Sequence, residues 1–563
     1  DIPIKLNSDG KPYLPATSIG GLLRGTAENL TASLKGWKNN DVQSLFGAER
    51  QEDKKKSEWN HPSRLRLHDA QIKGEWNGLT RVRDGVGIDR KRASARTGAL
   101  YNYEIVPADT EFDLCIELRD GSDKDKQLLA LTLDAINQLP STIGARGNSG
   151  LGSISMNIEK VITLELTDCQ RLFEFLRQES PFDLEKESGE RWEVWLNKHL
   201  PKGVVLKTSK NRPPNWLIPQ SVTFIYRLNV KEPLLIRGSE APESALKDYQ
   251  ERKKEVSFGD DMKGIDAVWI GQGDHPTASN WEPIFPGSSL RGVFRSYCER
   301  ILRTLWWNYA GKDRYKEKVI ASDPLLHPSE SEKGKDCHLC SSGFKIQDKV
   351  SEKWQKKESA KEIAQFIWDN SDLGERMWGS SQWKSRVMIS EAVIPSDYKD
   401  EWKELFFQNV VINRFTGGVS EQKLFNALPV THGVFEGSIT VFGDELWMIG
   451  LIALLFKDLT DELDFVRVGS GKTRGRGSFD AWLEKISLKA LPGSKIASIC
   501  NVTQPPESSV WINLDAYKQE LSQFPKVNGW LKVLLEEGVR ELNEEVKAYK
   551  EENDGSNHSS QKD

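Results

Sequence analysis

Cysteine and long apolar runs are both scarce in this chain. Six cysteines at scattered positions in 563 residues are too few for a disulfide framework, so a reducing cytosol is the expected setting. No apolar run approaches the roughly 18 residues that a membrane-spanning helix needs. The length allows two or more separate cores, because single domains rarely exceed about 250 to 300 residues.

A strongly basic charge is also missing, which at first argues against a nucleic-acid partner. The net charge is -5, yet residues 535–563 alone carry nine acidic and four basic side chains. The rest of the chain is therefore about neutral. Local basic clusters, rather than the total, decide whether a phosphate backbone can bind.

A complete nucleotide-binding P-loop is the third absence. The stretch VGSGKTRGRGS at 468–478 contains Gly-Lys-Thr, but Val466 stands where a Walker loop needs its first glycine. The stretch IGARGNSGLGS at 143–153 matches it at an offset of 325 residues, with three shared glycines and a closing serine. The shared element is a glycine-rich loop that occurs twice.

Three further segments recur in the same order, which indicates a duplicated chain. PYLPATSIGGLLRG at 12–25 matches PIFPGSSLRGVFRS at 283–296, RLRLHDA at 64–70 matches RVMISEA at 386–392, and IDRKRASARTGALYN at 88–102 matches INRFTGGVSEQKLFN at 412–426. We predict a first module at 1–165, a connector at 166–218, a second module at 219–487 and a helical, acidic tail at 488–563. The Pro-rich NRPPNWLIPQ suits a linker, and ENDGSNHSSQKD suits a disordered end.

Each module mixes capped helix starts with alternating strand segments. Small hydroxyl residues precede an apolar stripe at helical spacing in both copies, and segments such as EFDLCIEL alternate as strands do. The pattern predicts an α+β fold of ferredoxin-like type in each module. The second module has about 60 residues before Pro283 against 11 before Pro12, so we expect the natural chain to have a first strand that this sequence lacks.

The combined motifs resemble the repeat-associated mysterious protein (RAMP) superfamily of CRISPR systems. The resemblance is strongest to the backbone subunit of type III effector complexes, and two modules in tandem look like the fusion subunit of the III-D variant. It implies a modified RNA-recognition-like (RRM-like) fold in each module, which binds a CRISPR guide RNA and a single-stranded target RNA. It also implies contact with other RAMP backbone subunits and with the large polymerase-like subunit, in the cytoplasm of a prokaryote and without a membrane.

Residues that match the family's motifs are expected to bind RNA. A helix N-terminus attracts phosphate, hydroxyls add donors, and glycine-rich loops allow close backbone approach. The expected set is Thr17, Ser18, Arg24 and Arg146 in the first module and Ser288, Ser289, Arg291, Arg295, Lys472, Arg474 and Arg476 in the second. The alternative is an ordinary helix cap or a tight turn with solvated cations.

A basic segment in each module resembles the family's thumb, a hairpin that pushes between guide and target. Arg90 and Arg92 lie in the first copy, and Arg414 and Phe415 lie in the second. A charge run is usually only a solvated surface. Recurrence of the segment, with glycines at 417 and 418, favours the thumb interpretation.

Family members often cut target RNA with an acidic residue before the Pro-x-x-Pro helix start. The matching candidates are Asp1 and Asp266, with Asp274 and His275 as fallbacks. A carboxylate there suits Mg2+ or another divalent ion, and it can orient a 2'-hydroxyl for attack on the adjacent phosphate. The alternatives are a turn-forming role for these residues and a purely architectural RNA-binding subunit.

A Cys-x-x-Cys pair predicts a structural zinc in an insertion of the second module, at about 298–375. Cys337 and Cys340 are separated by two residues, a spacing that lets both thiolates bind one tetrahedral ion, and His327 lies nearby in the sequence. Cys298 is our choice for the fourth ligand, because similar proteins have a zinc knuckle in this place. The alternative is a pair of thiols in a polar loop. A stand-alone guide-processing nuclease and a nucleotide hydrolase are further functional alternatives.

Overall fold

The computed structural model describes most of the chain. The described residues are 3–48, 62–76, 80–89, 94–165, 167–177, 189–207, 214–236, 267–268, 271–272, 282–310, 319–327, 329, 339–356, 358–405, 407–460, 466–502, 505, 509–521 and 529–559. Among them, no helix combines the length and the apolar character needed to cross a bilayer.

The first 218 residues contain strands of 2 to 12 residues and five helices in the described ranges. In order, these are β1 (Tyr13–Leu14), α1 (Ala16–Ser33), α2 (Asn39–Phe46), β2 (Leu65–Leu67), β3 (Ala70–Ile72), β4 (Arg81–Asp89), β5 (Ser94–Ile105), β6 (Phe112–Asp113), β7 (Ile116–Leu118), α3 (Asp123–Gln138), β8 (Ser141–Thr142), β9 (Ser153–Ile154), α4 (Cys169–Leu176) and α5 (Trp192–His199).

The remainder has strands of the same range of lengths, from 2 to 12 residues. In order, its elements are β10 (Ser221–Val230), β11 (Ala267–Val268), β12 (Gly271–Gln272), β13 (Glu282–Pro283), α6 (Gly287–Ala310), α7 (Ser342–Gln355), α8 (Ala360–Asn370), α9 (Leu373–Trp378), β14 (Val387–Ile389), β15 (Lys403–Glu404), β16 (Phe407–Ile412), β17 (Val419–Leu428), β18 (Val430–His432), β19 (Val434–Phe442), α10 (Leu446–Thr460), β20 (Phe479–Ala490), α11 (Lys495–Ile499), β21 (Ile512–Tyr517), α12 (Lys518–Leu521) and α13 (Gly529–Ser559).

The main sheet of the second module is antiparallel, in the order β14-β19-β10-β20-β21, and its last strand comes from the predicted tail. With α6 after β10 and α10 after β19, its chain order is the βαββαβ of a ferredoxin-like fold. The strand β10 alternates buried and half-buried residues because one face of the sheet packs on the helices. Aromatic side chains of β10, α6 and α10 fill this core, including Tyr226, Phe294 and Phe456.

The first module repeats part of this plan in smaller sheets. The strand β2 pairs with β7 as β14 pairs with β19, with Leu65 opposite Leu118 and Val387 opposite Val441. No strand in its described residues corresponds to β10. Its separate core is built on α1 and α3 and contains Leu23, which is fully buried.

The predicted connector and tail pack closely against the modules. Trp511, beyond the predicted boundary at 487, lies in the core of the first module and donates its indole N–H to Asp134 at 3.0 Å. Helix α13 packs on α10, where Gly538 lies against the backbone of Gly450. Its helical backbone extends to Ser559, where the sequence predicted a disordered end.

Candidate nucleic-acid interface

The two glycine-rich loops have the same backbone path. In the first loop the N–H of Ile143 donates to the carbonyl of Gly152 at 2.8 Å, and in the second Val468 donates to Gly477 at 3.0 Å. Both glycines have positive φ, and a Cβ on either would collide with the carbonyl oxygen of its partner. Between the two bonded residues, each loop contains a short 3-10 turn at the matching position, Gly147–Ser149 in the first and Lys472–Arg474 in the second. The duplication inferred from sequence is therefore present in three dimensions.

Arg146 connects the first loop to the hairpin β4–β5. Its backbone is left-handed at φ 62°, where the second loop has Gly471. Its guanidinium carbon lies 4.4 Å from the ring centre of Tyr101 and 4.6 Å from that of Tyr103. Its Nη1 also donates to the Tyr101 hydroxyl at 3.0 Å. Burial raises the pKa of Tyr103 despite the nearby cations of Arg83 and Arg146.

Arg476 makes the corresponding contact in the second module from a different loop position. Its guanidinium carbon is 5.2 Å from the ring centre of Phe407 on β16, and its Nη2 donates to Asn409 at 3.3 Å. Lys472 is half-buried, and burial lowers its pKa. Arg474 is exposed at the tip. An arginine of the loop thus lies on an aromatic ring of the hairpin in both modules.

Both predicted thumbs are antiparallel hairpins with exposed apolar side chains. In β4–β5, Leu100 is 68% exposed, and Val82, Val86 and Ile88 are also exposed. In β16–β17, Phe415 is 100% exposed at the turn beside the exposed Arg414. Solvated apolar and aromatic groups beside cations are the composition that stacks on single-stranded bases. Arg90 and Arg92 lie outside the described residues.

At the start of helix α1, the residues with hydroxyl side chains are exposed to solvent. Thr17 and Ser18 are exposed. The first N–H of the helix, that of Ala16, is taken by the Asp69 carboxylate at 2.7 Å, so part of the predicted phosphate site already holds an anion. Arg24 pairs with Glu28 one turn further on, with its Nε 3.0 Å from Oε1.

The start of helix α6 is covered instead by the first module. Gly287 is buried, and a Cβ there would collide with the carbonyl of Ser149 in the first glycine-rich loop. Ser288 and Ser289 are half-buried. On the same side, Arg83 of β4 forms an ion pair with Glu391, which follows β14. The two modules therefore meet at a loop-to-helix junction.

Arg291 and Arg295 point into the protein, which corrects the prediction that they face RNA. Arg291 donates to the carbonyls of Val387 and Trp378. Arg295 pairs with Glu299 at 2.8 Å and donates to the Gly379 carbonyl at 3.2 Å. Burial lowers the pKa of each arginine to about 10. Helix α9 and the segment after it enclose this face of α6, so Arg295 is buried and Arg291, which is half-buried, is already bonded to two carbonyls.

The zinc candidates in the described residues do not come together. Cys298 lies in the core of the second module, where burial strongly raises the pKa of its thiol. His327 packs on Phe344 and bonds Ser329 through Nδ1. Among the residues that the structure describes, Cys298, His327 and the buried Cys340 form no three-ligand cluster. Cys337, Asp1, Asp266, Asp274 and His275 lie outside the described residues.

A buried carboxylate network, which sequence reasoning missed, fastens the insertion to α9. Glu375 accepts hydrogen bonds from the Ser341 hydroxyl and, at 2.9 Å, from the Gly343 N–H. Asp372 accepts from the hydroxyls of Ser322 and Ser342 at 2.5 and 3.0 Å. Burial first, and the neighbouring Asp372 next, raise the pKa of Glu375 to about 7. The sequence signal for this network is the run of small residues Ser341, Ser342 and Gly343 directly after Cys340.

The fold and the paired loops define a duplicated module with one repeated basic and aromatic surface. Comparison with protein families supplies the class. The RAMP superfamily model matches residues 1–155 and 261–480, about two thirds of the chain, so the chain belongs to the RAMP superfamily. The two matched regions agree with a tandem arrangement, and the family suggests an RNA-binding subunit associated with CRISPR type III systems. A search of the curated proteins found no match.

Proposed function

We propose that this protein is a guide-RNA-binding backbone subunit of a type III CRISPR effector complex. In this role its two modules hold successive segments of guide RNA with its paired target RNA. The tandem arrangement is the one expected of the III-D fusion subunit. Its partners would be other RAMP backbone subunits and the large polymerase-like subunit.

The observation that supports this proposal most directly is the repeated contact between loop and hairpin. Arg146 over Tyr101 and Tyr103, and Arg476 over Phe407, place a cation and an aromatic ring together twice in one chain. Cations bind the phosphates of a single strand and aromatic rings stack on its bases, without a need for sequence readout. Two linked sites also raise the effective concentration of the strand at the second site once the first is occupied.

We further propose that the protein cleaves the target RNA, with Asp1 and Asp266 as the catalytic carboxylates. Hard carboxylate oxygens suit Mg2+, which would stabilise charge on the attacked phosphate. Arg146, Arg476 and the aromatic rings beside them would bind and align the RNA. The proposed zinc ligands are Cys337, Cys340 and His327, whereas Cys298 lies in the hydrophobic core of the second module.

Cleavage by the assembled complex tests both parts of the proposal. Asp1→Ala and Asp266→Ala are each expected to remove one cleavage product while RNA binding is retained. Asp9→Ala, a change of an exposed loop acid, is the matched control and should leave all products. Unchanged products with intact binding would leave only the architectural role. Loss of metal content in Cys337→Ser would support the zinc.

A further inference from the structure

A mixed set of metal-binding side chains lies on the outer face of the β2–β7 pair in the first module. The pairing places His68 opposite Cys115, and the N–H of His68 donates to the Cys115 carbonyl at 3.3 Å. Cys115 and Glu117 are two residues apart on one strand, so their side chains share a face. Nε2 of His68 lies 2.8 Å from Oε1 of Glu117, and one ligand atom from each residue lies within 4.8 Å of the others.

The two carboxylate oxygens of Glu117 have different partners. Arg119 donates to Oε2 at 3.1 Å from Nε and at 2.8 Å from Nη2, whereas Oε1 is the oxygen beside His68. A cation bound by Oε1 would therefore leave the ion pair with Arg119 in place. A divalent ion also displaces the proton of a thiol that binds it, so Cys115 would bind as the thiolate.

We propose that His68, Cys115 and Glu117 bind a divalent ion of the zinc class. Imidazole nitrogen, thiolate sulfur and carboxylate oxygen are the three ligand types of protein zinc sites, whereas a thiolate disfavours Mg2+ and Ca2+. Because His68 and Cys115 are exposed, a fourth position remains accessible to water. The site would join β2 to β7, which in the described residues form a sheet of two strands only.

The second module provides an internal comparison. By the matching register, His68, Cys115 and Glu117 correspond to Ser390, Ser438 and Thr440. There the Ser390 hydroxyl accepts from the Ser438 N–H at 2.8 Å, and the strand pair forms one edge of the five-stranded sheet, with β10 bonded to β19 on the other side. The ligand set is therefore specific to the module whose strand pair has less support from its neighbours. This proposal is independent of the proposed function, because it concerns metal binding by the chain alone.

Cobalt binding to the full-length chain tests the site. The protein carries Cys337→Ser, to remove the other candidate thiolate, is stripped with a chelator and is titrated with Co2+. We expect one equivalent bound with a thiolate-to-cobalt absorption band in the near ultraviolet. Adding Cys115→Ser should abolish the band. His68→Ala and Glu117→Gln should weaken binding of Co2+ and Zn2+ by about tenfold or more.

Cys169→Ser is the matched control, because Cys169 is an exposed cysteine outside this cluster. It should leave the band and the affinity unchanged. A band that survives Cys115→Ser, or absence of any band in the parent protein, would overturn the proposal. Circular dichroism should show unchanged secondary structure in all variants, since His68 and Cys115 are at the surface.

Discussion

The two modules share a loop, a hairpin and a helix start, yet they use one repeat position differently. Asp69 in the first module accepts a hydrogen bond from Ala16 at the start of α1. Its counterpart Glu391 in the second module pairs with Arg83, which belongs to the first module. The start of α1 is thus capped from within the first module, whereas the start of α6 in the second module is covered by residues of the first module. The acidic residue at this repeat position therefore caps a helix in the first module, whereas in the second it forms an ion pair between the two modules.

Removal of the Glu375 carboxylate should have the largest effect on stability. Glu375→Ala leaves the Ser341 hydroxyl and the Gly343 N–H without their buried acceptor. We expect the second module to lose about 3 to 5 kcal/mol, because two buried donors each lose an acceptor, at about 1 to 3 kcal/mol apiece, and the deleted side chain leaves a cavity. Hydrogen exchange at residues 339–356 measures the change locally. Exchange in α3 of the first module should stay unchanged, and faster exchange there would contradict the assignment.

Glu391→Ala and Asp69→Ala compare the two uses of the repeat position directly. Glu391→Ala leaves the buried Arg83 without its carboxylate and should cost about 2 to 3 kcal/mol. Asp69→Ala removes one helix-capping acceptor and should cost about 1 kcal/mol. The readout is hydrogen exchange in β4 for the first variant and at the start of α1 for the second. Equal effects at both places would remove the proposed distinction.

The buried carboxylates of the two modules should respond to pH in opposite ways. In Asp125 of the first module burial raises the pKa, but hydrogen bonds from Ser122 outweigh burial and lower it. Its contribution to stability is present above the unfolded pKa of about 4 and is lost as pH falls. Burial raises the pKa of Glu375, so its contribution is present below about 4.5 and is lost as pH rises through about 7.

Glu375→Gln isolates this second behaviour, because the amide does not titrate. Between about pH 5 and pH 8 we expect wild-type protein to lose stability relative to this variant. Asp125→Asn should show no such trend over the same interval. Local exchange at different pH values, corrected for intrinsic rates, provides the measurement. A difference between wild type and Glu375→Gln that does not vary with pH would contradict the burial argument.

The smallest expected effect concerns the loop arginines and RNA. Arg146→Ala and Arg476→Ala should each weaken binding of single-stranded RNA by about fivefold, near 1 kcal/mol, and should reduce the salt dependence by about one phosphate contact. Arg295→Lys is the control, because this guanidinium is buried against Glu299. If Arg295→Lys weakened RNA binding equally, the weaker binding would come from a disturbed fold and not from the loss of a contact between arginine and RNA.

The duplication, the loops and the hairpins could be predicted from sequence because glycine spacing and local patterning encode them. Gly152 and Gly477 occupy positions where any side chain would collide, so their recurrence carries structural information. The contacts of Arg83 with Glu391, 308 residues apart, depend on how the modules dock and have no local signature. The ion pair of Arg295 with Glu299 could be read from their i, i+4 spacing, but the burial of Arg295 could not, because it depends on the segment around Gly379.

Photo-crosslinking of single-stranded RNA to the full-length chain tests the central claim most directly. The claim is that both copies of the loop and hairpin contact one ribose-phosphate strand. We predict that mapped crosslinks fall on both hairpins, at or beside Tyr101 in the first module and Phe407 or Phe415 in the second, and that added salt weakens them together. Crosslinks confined to one module, or to surfaces away from both hairpins, would contradict the claim.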